Sequence, residues 1–147
     1  MEKKDWTKLS FSYSKTNTVL TCLYKDGKWG PIESQTAATL NLTVFSPSLH
    51  YGMSCFEGLK AFRGADDKVR IFRVDENAKR MQSSAGFLGI PCPDEELFKK
   101  MCVQAVQENL EFLPPFEATG ASLYLRPTLL GFNPQLGVQS SKEVLFM

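Results

Sequence analysis

The densest group of residues able to do chemistry is the run Leu49-His50-Tyr51-Gly52-Met53-Ser54-Cys55-Phe56-Glu57-Gly58-Leu59-Lys60-Ala61-Phe62-Arg63. Glycines among aromatics suit a backbone that turns sharply or lets a ligand come close, and a tyrosine offers an apolar ring with a polar tip. On spacing alone the run reads better as an aromatic-rich strand packed in a core. Metal chemistry finds little support. His50 is the only histidine, and Cys22, Cys55, Cys92 and Cys102 are widely spaced with no C-x-x-C pair, which argues against both a zinc site and a disulfide framework.

The elements that must position these residues can be read from pattern. Thr18 to Leu23 is β-branched or apolar, and Tyr24-Lys25-Asp26-Gly27-Lys28-Trp29 follows with Asp-Gly at its centre, the favoured pair for a tight hairpin turn. Leu40 to Val44 alternates as a strand ended by Pro47. Phe56 to Phe62 continues extended to a turn at Gly64-Ala65-Asp66-Asp67, and Val69 to Arg73 is the returning strand. Asp75 is placed to N-cap a helix from Glu76 to Leu88, stopped by Gly89 and Pro91. A second helix starts at about Asp94, with Leu97, Phe98, Met101, Cys102, Ala105, Val106 and Leu110 at helical spacing, and ends before Pro114-Pro115. Ala121 to Leu125 reads as a strand, and Gly131 to Gly137 as a loop. Mixed helices and strands joined by hairpins predict an α+β domain with a largely antiparallel sheet.

The last segment, Glu143-Val144-Leu145-Phe146-Met147, reads as a buried strand that stops without a turn, cap or polar tail. Natural termini are usually exposed, so the expectation is a chain cut inside a larger protein. With 147 residues the chain suits one domain. Its 43% hydrophobic and 22% charged residues are those of an ordinary globular protein. A net charge of +1, with basic and acidic residues interleaved, gives no field to draw nucleic acid or anionic lipid. The start lacks a secretory signal's apolar run, and its acidic residues fit a mitochondrial presequence poorly; no stretch approaches a membrane-spanning length. The expected location is the cytoplasm, with thiols reduced.

Several ordered motifs together carry a resemblance. H-Y-G-x-x-x-F-E-G-x-K-A-F from His50 resembles the N-terminal signature of branched-chain amino-acid aminotransferases, fold-type IV enzymes that use pyridoxal phosphate. Asn77-Ala78-Lys79-Arg80-Met81 resembles the helix-borne N-x-x-R segment of that family. Ser122-Leu123-Tyr124-Leu125-Arg126-Pro127 resembles its S-L-Y-x-R-P strand, and Asn133 to Val138 the loop after it. The resemblance runs from about Phe11 to the end. Gly86-Phe87 departs from it, standing where related sequences often have a charged residue followed by an apolar one.

The resemblance implies that Arg80 binds the cofactor phosphate, a role that the planar fork of guanidinium donors suits. It implies that Phe11, Tyr51, Phe56 and Tyr124 line the substrate side-chain pocket with Arg126 beside it, and that Leu136 and Val138 reach a neighbouring subunit's site in a homodimer. Such a lining matches leucine, isoleucine and valine, which offer only apolar area. The expected reaction is amino transfer from these to 2-oxoglutarate. In the family the Schiff-base lysine lies on a larger domain beyond Met147, so residues 1–147 are expected to be the small N-terminal domain, without a catalytic residue of their own and inactive alone. Lys60 belongs to the N-terminal motif and is no substitute. D-amino-acid aminotransferase and aminodeoxychorismate lyase share the fold and the phosphate-binding arginine pattern, and a non-catalytic binding or assembly module derived from this domain is the rival of another class.

Overall fold

A computed structural model describes Trp6 and residues 12–147. Among the described residues the strands are β1 (Val19–Lys25), β2 (Lys28–Trp29), β3 (Glu33–Gln35), β4 (Ser54–Phe56), β5 (Leu59–Arg63), β6 (Val69–Ile71), β7 (Leu123–Leu125), β8 (Thr128–Gly131) and β9 (Val144–Phe146). The helices are α1 (Pro47–Tyr51), α2 (Val74–Leu88) and α3 (Glu95–Glu108), with a 3-10 turn at Leu110–Phe112. The strands form two antiparallel sheets. One runs β2-β1-β9-β8-β4 with β3 also paired to β1, and the other runs β6-β5-β7. The expected α+β class is the observed one.

The hairpin forms where Asp26-Gly27 predicts it. Both residues take positive φ, 51° and 81°, and Tyr24 faces Trp29 across the pair. Positive φ at both central positions gives the twist that a two-residue hairpin needs. The α3 start is also as read, with the Asp94 carboxylate accepting from Leu97 N at 2.8 Å.

Three expectations are corrected. Leu40 to Val44 forms no strand: its residues are half-buried or exposed and lack a partner strand, so alternation has no sheet to serve. Asp75 does not cap α2. The helix begins at Val74 after Arg73 in a left-handed conformation, which leaves Asp75 and Glu76 in the first turn, where negative charge suits the helix dipole. The aromatic run does not form one strand either. Its front is α1, begun by Ser46, which accepts from Ser48 N, with Pro47 in the first turn, and closed by Gly52 at φ 64°. The Ser46 hydroxyl, fully buried, donates to Gly131 O at 2.6 Å and so ties α1 to β8.

One core binds these layers. Phe146 on β9 stacks on Phe98 of α3 at 5.8 Å between ring centroids, and its other neighbour is Trp29 at 6.3 Å. Asn77, Ala78, Met81 and Ala85 form the buried face of α2; Phe98, Met101, Cys102 and Val106 form that of α3. Burying each large apolar side chain contributes about 1.5–3 kcal/mol. The polar face of α2, with Lys79 and Arg80, is left to the outside.

Two strands cross between the sheets side by side, and that crossing places the candidate site. β4 pairs with β8 in the large sheet, with Phe56 opposite Thr128, while β5 pairs with β7 in the small sheet, with Leu59 opposite Leu125. The linking residues are Glu57-Gly58 on one chain segment and Arg126-Pro127 on the other. Glu57 N donates to Pro127 O at 2.9 Å and joins them.

Candidate functional site

At this junction Glu57 is almost enclosed, its side chain 8% exposed, and its carboxylate is the hub of the site. Arg80, one helical turn after Asn77 on α2, approaches it edge on: Nε donates to Oε1 at 3.1 Å and Nη2 donates to Oε2. Asn77 Nδ2 donates to the same Oε2 at 2.7 Å and also to Gly58 O at 3.2 Å. Burial pushes the Glu57 carboxyl up, but hydrogen bonds from Arg80 and Asn77, with the Arg80 charge, outweigh it and hold the group below its ordinary value. The Arg80 guanidinium is raised in turn by its hydrogen bond to Glu57.

Tyr124, Phe56 and Arg126 gather on the same junction. Arg126 lies with its guanidinium carbon 4.3 Å from the Phe56 ring centroid and 5.2 Å from that of Tyr124, and its Nε donates to the Tyr124 hydroxyl at 3.1 Å. The contact with the Phe56 ring and the bond to the Tyr124 hydroxyl hold a long, flexible side chain in place while leaving its Nη atoms for a ligand. A cleft of about 410 Å³ opens beside them, lined in part by Gly58, Lys60, Arg73, Arg80 and Tyr124. Three of these are cations, and Glu76 is the acidic group among the other lining residues.

A second cluster lies on the loop between β8 and β9. Tyr51, at the end of α1, donates its hydroxyl to Leu136 O, and Gln135 N donates to Phe45 O at 2.9 Å. Leu136 and Val138 are 66% and 82% exposed. Side chains hold them there: Gln135 Nε2 donates to Gly137 O at 3.0 Å and Gln139 O at 2.6 Å, while Asn133 Oδ1 accepts from Ser141 Oγ, Lys142 N and Glu143 N.

The structure thus groups Phe56, Tyr124 and Arg126, sets Arg80 beside them through Glu57, and pairs Tyr51 with Leu136 near Val138. Phe11 lies outside the described residues. Sequence reasoning passed over Glu57, Asn77 and Gln135. The first two stand inside quoted motifs as F-E-G and N-x-x-R, and their shared spacing was the available signal. The thiols do not join this chemistry. Burial pushes Cys102 up to about 12, and burial with the nearby Cys55 does the same to Cys92, so neither is a reactive thiolate.

No protein-family profile matches the chain. It is 45% identical over all its 147 residues to a branched-chain-amino-acid aminotransferase of Helicobacter pylori, of which it covers 43%, and 42% identical over 146 residues to that of Haemophilus influenzae, of which it covers 42%. The fold aligns with a TM-score of 0.63 at 28% identity to a solved branched-chain amino acid aminotransferase of T.th. with pyridoxamine 5′-phosphate, over 89% of this chain and 39% of that one. The chain therefore spans about two fifths of the length of the relatives it matches.

Proposed function

We propose, from the premise that this chain has the sequence and fold of the N-terminal part of a branched-chain-amino-acid aminotransferase, that it supplies such an enzyme with a phosphate grip and a substrate wall. The enzyme would move the amino group of leucine, isoleucine or valine to 2-oxoglutarate, with pyridoxal 5′-phosphate as cofactor. The observation that supports this most is the clamped Arg80. Glu57 takes its Nε and Nη2 edge, and among the described residues Nη1 has no hydrogen-bond partner, so a planar pair of donors remains for a phosphate. When bound, pyridoxal phosphate supplies an electron sink for loss of the amino acid's α-proton.

The residues of this chain bind and orient. Phe56 and Tyr124 give aliphatic side chains an apolar wall, and burying such a side chain contributes about 1.5–3 kcal/mol. The side-chain carboxylate of 2-oxoglutarate needs a fixed cation in that wall, because an unpaired buried charge costs several kcal/mol. Arg126, over the Phe56 ring and bonded to the Tyr124 hydroxyl, meets both needs with its apolar plane and its charged rim. Tyr51 is the second donor, and Phe11 completes the wall. Leu136 and Val138, held outward, reach the site of a second copy, which makes the working unit a homodimer in the cytoplasm.

Residues 1–147 form the small domain in this reading, and the cofactor's lysine belongs to the part of the relatives that the chain does not match. The test is transamination of leucine with 2-oxoglutarate. The enzyme carrying this chain should perform it with added pyridoxal phosphate, and the 147 residues alone should not. Turnover by the 147 residues alone, or none by the enzyme, would reject the reading.

A further inference from the structure

We infer that Glu57 is the positioning residue of the phosphate grip: by occupying one edge of the Arg80 guanidinium it fixes which edge faces the cofactor. This rests on the proposed role of Arg80. An arginine on the outer face of a helix ordinarily samples many rotamers, and an exposed ion pair restrains it little. Arg80 differs in three ways. Its partner is enclosed, with the Glu57 side chain 8% exposed against 64% for its own. The contact is two-pronged, through Nε and Nη2 to the two carboxylate oxygens. The carboxylate is itself pinned by Asn77 Nδ2 at 2.7 Å, and the main chain beneath it by the bond from Glu57 N to Pro127 O at 2.9 Å.

A guanidinium is planar and carries five N–H groups. Two are used on Glu57, which leaves three on the Nη1 and Nη2 side, and clamping one edge of a rigid plane fixes the direction of the other. Arg80 lines the cleft that also takes in Lys60 and Arg73, the cationic surroundings a phosphate requires. Asn77 and Arg80 stand three apart on α2 and so face the same carboxylate, and that spacing lets one helix supply both the brace and the grip.

The inference has a sign that simple electrostatics does not share. Glu57 carries a negative charge next to a group meant to bind an anion, so on charge alone its removal should tighten phosphate binding. Positioning demands the opposite. The test titrates the cofactor-free enzyme carrying this chain with two probes, pyridoxal 5′-phosphate and pyridoxal, which lacks the phosphate. Glu57→Gln keeps shape and removes the charge. It should weaken pyridoxal phosphate roughly tenfold, the scale of a charge-assisted hydrogen bond, and change pyridoxal less than about twofold.

Equal weakening of both probes would show a merely structural tie, and unchanged or tighter pyridoxal phosphate would show that Glu57 does not orient Arg80. Either result overturns the inference. Arg80→Ala separates the two levels. If it leaves pyridoxal phosphate binding intact, the role of Arg80 itself fails; if it weakens binding while Glu57→Gln does not, only the positioning role fails. Should Glu57→Gln not fold, Asn77→Ala removes the brace on Glu57, together with the bond to Gly58 O, and is read with the same probes, with selective weakening of pyridoxal phosphate expected and equal weakening or no change overturning the inference.

Discussion

The Tyr124 hydroxyl fills the space in which residue 58 would carry a side chain: a Cβ built on Gly58 would stand 2.3 Å from that oxygen and 3.1 Å from the ring carbon bearing it. Gly58 is thus needed for close approach. The link at 57–58 and the strand end at 124–126 fit together only because one of them lacks a side chain.

Gly58→Ala should push Tyr124 aside and loosen the Arg126 Nε bond to its hydroxyl. Overpacking of this kind costs about 1–3 kcal/mol. Chemical denaturation should show that loss, and Gly58→Ala combined with Tyr124→Phe should recover part of it, because the worst contact is with the hydroxyl. Strict additivity of the two changes would contradict the contact.

Stability should fall in acid through Glu57. Its carboxyl is held below the ordinary 4.5: burial raises it, and the bonds from Arg80 and Asn77 outweigh burial. A depressed folded value means that the ionised group stabilises the fold fully above its unfolded pKa, with the gain lost as pH falls through the folded one. The stability gap between the wild type and Glu57→Gln should therefore be widest near neutrality and shrink below about pH 4.5. A gap of constant size from pH 7 to about pH 3 would exclude ionised Glu57 as its source.

Arg126→Met keeps an apolar body over Phe56 and removes the charged rim. In the enzyme carrying this chain, kcat/KM for 2-oxoglutarate should fall far more than that for leucine, since losing a charge-assisted contact costs roughly 1.5–3 kcal/mol. Equal losses for the two substrates would make Arg126 a scaffold residue.

Gln135→Ala should release the loop without unfolding the sheet. Its amide bonds to Gly137 O and Gln139 O are what hold Leu136 and Val138 outward. Limited proteolysis should cut faster between 136 and 139, and the homodimer proposed above should dissociate more readily in sedimentation. Unchanged cleavage and association would show that the backbone alone holds this loop.

Local chemistry made some of the architecture legible. Asp26-Gly27 specifies a turn through its own backbone preferences, and Asp94 specifies a helix start through one side-chain oxygen, so neither needed distant residues. Leu40 to Val44 misled because alternation marks a strand only when a partner exists. The need for glycine at 58 was hidden because its reason, the Tyr124 hydroxyl, lies 66 residues away in sequence. The expected roles of Arg80, Phe56, Tyr124 and Arg126 rest on the family resemblance, whereas that of Glu57 rests on contacts made only in the fold, where its carboxylate lies between Asn77 and Arg80.

β9 sits between β1 and β8, with Val144, Leu145 and Phe146 all buried and Cys22 opposite Phe146. During synthesis β1 emerges first and β9 after every other strand described, so the large sheet has no middle until residue 146 is made. Until then β1 and β8 each expose an unpaired edge, the kind of surface that recruits other chains. Because the contacts of β9 with β1 span more than a hundred residues, they form slowly once possible. A ribosome stalled before that strand would therefore display a sticky intermediate, and chaperone demand should drop sharply once residues 144–146 have cleared the exit tunnel.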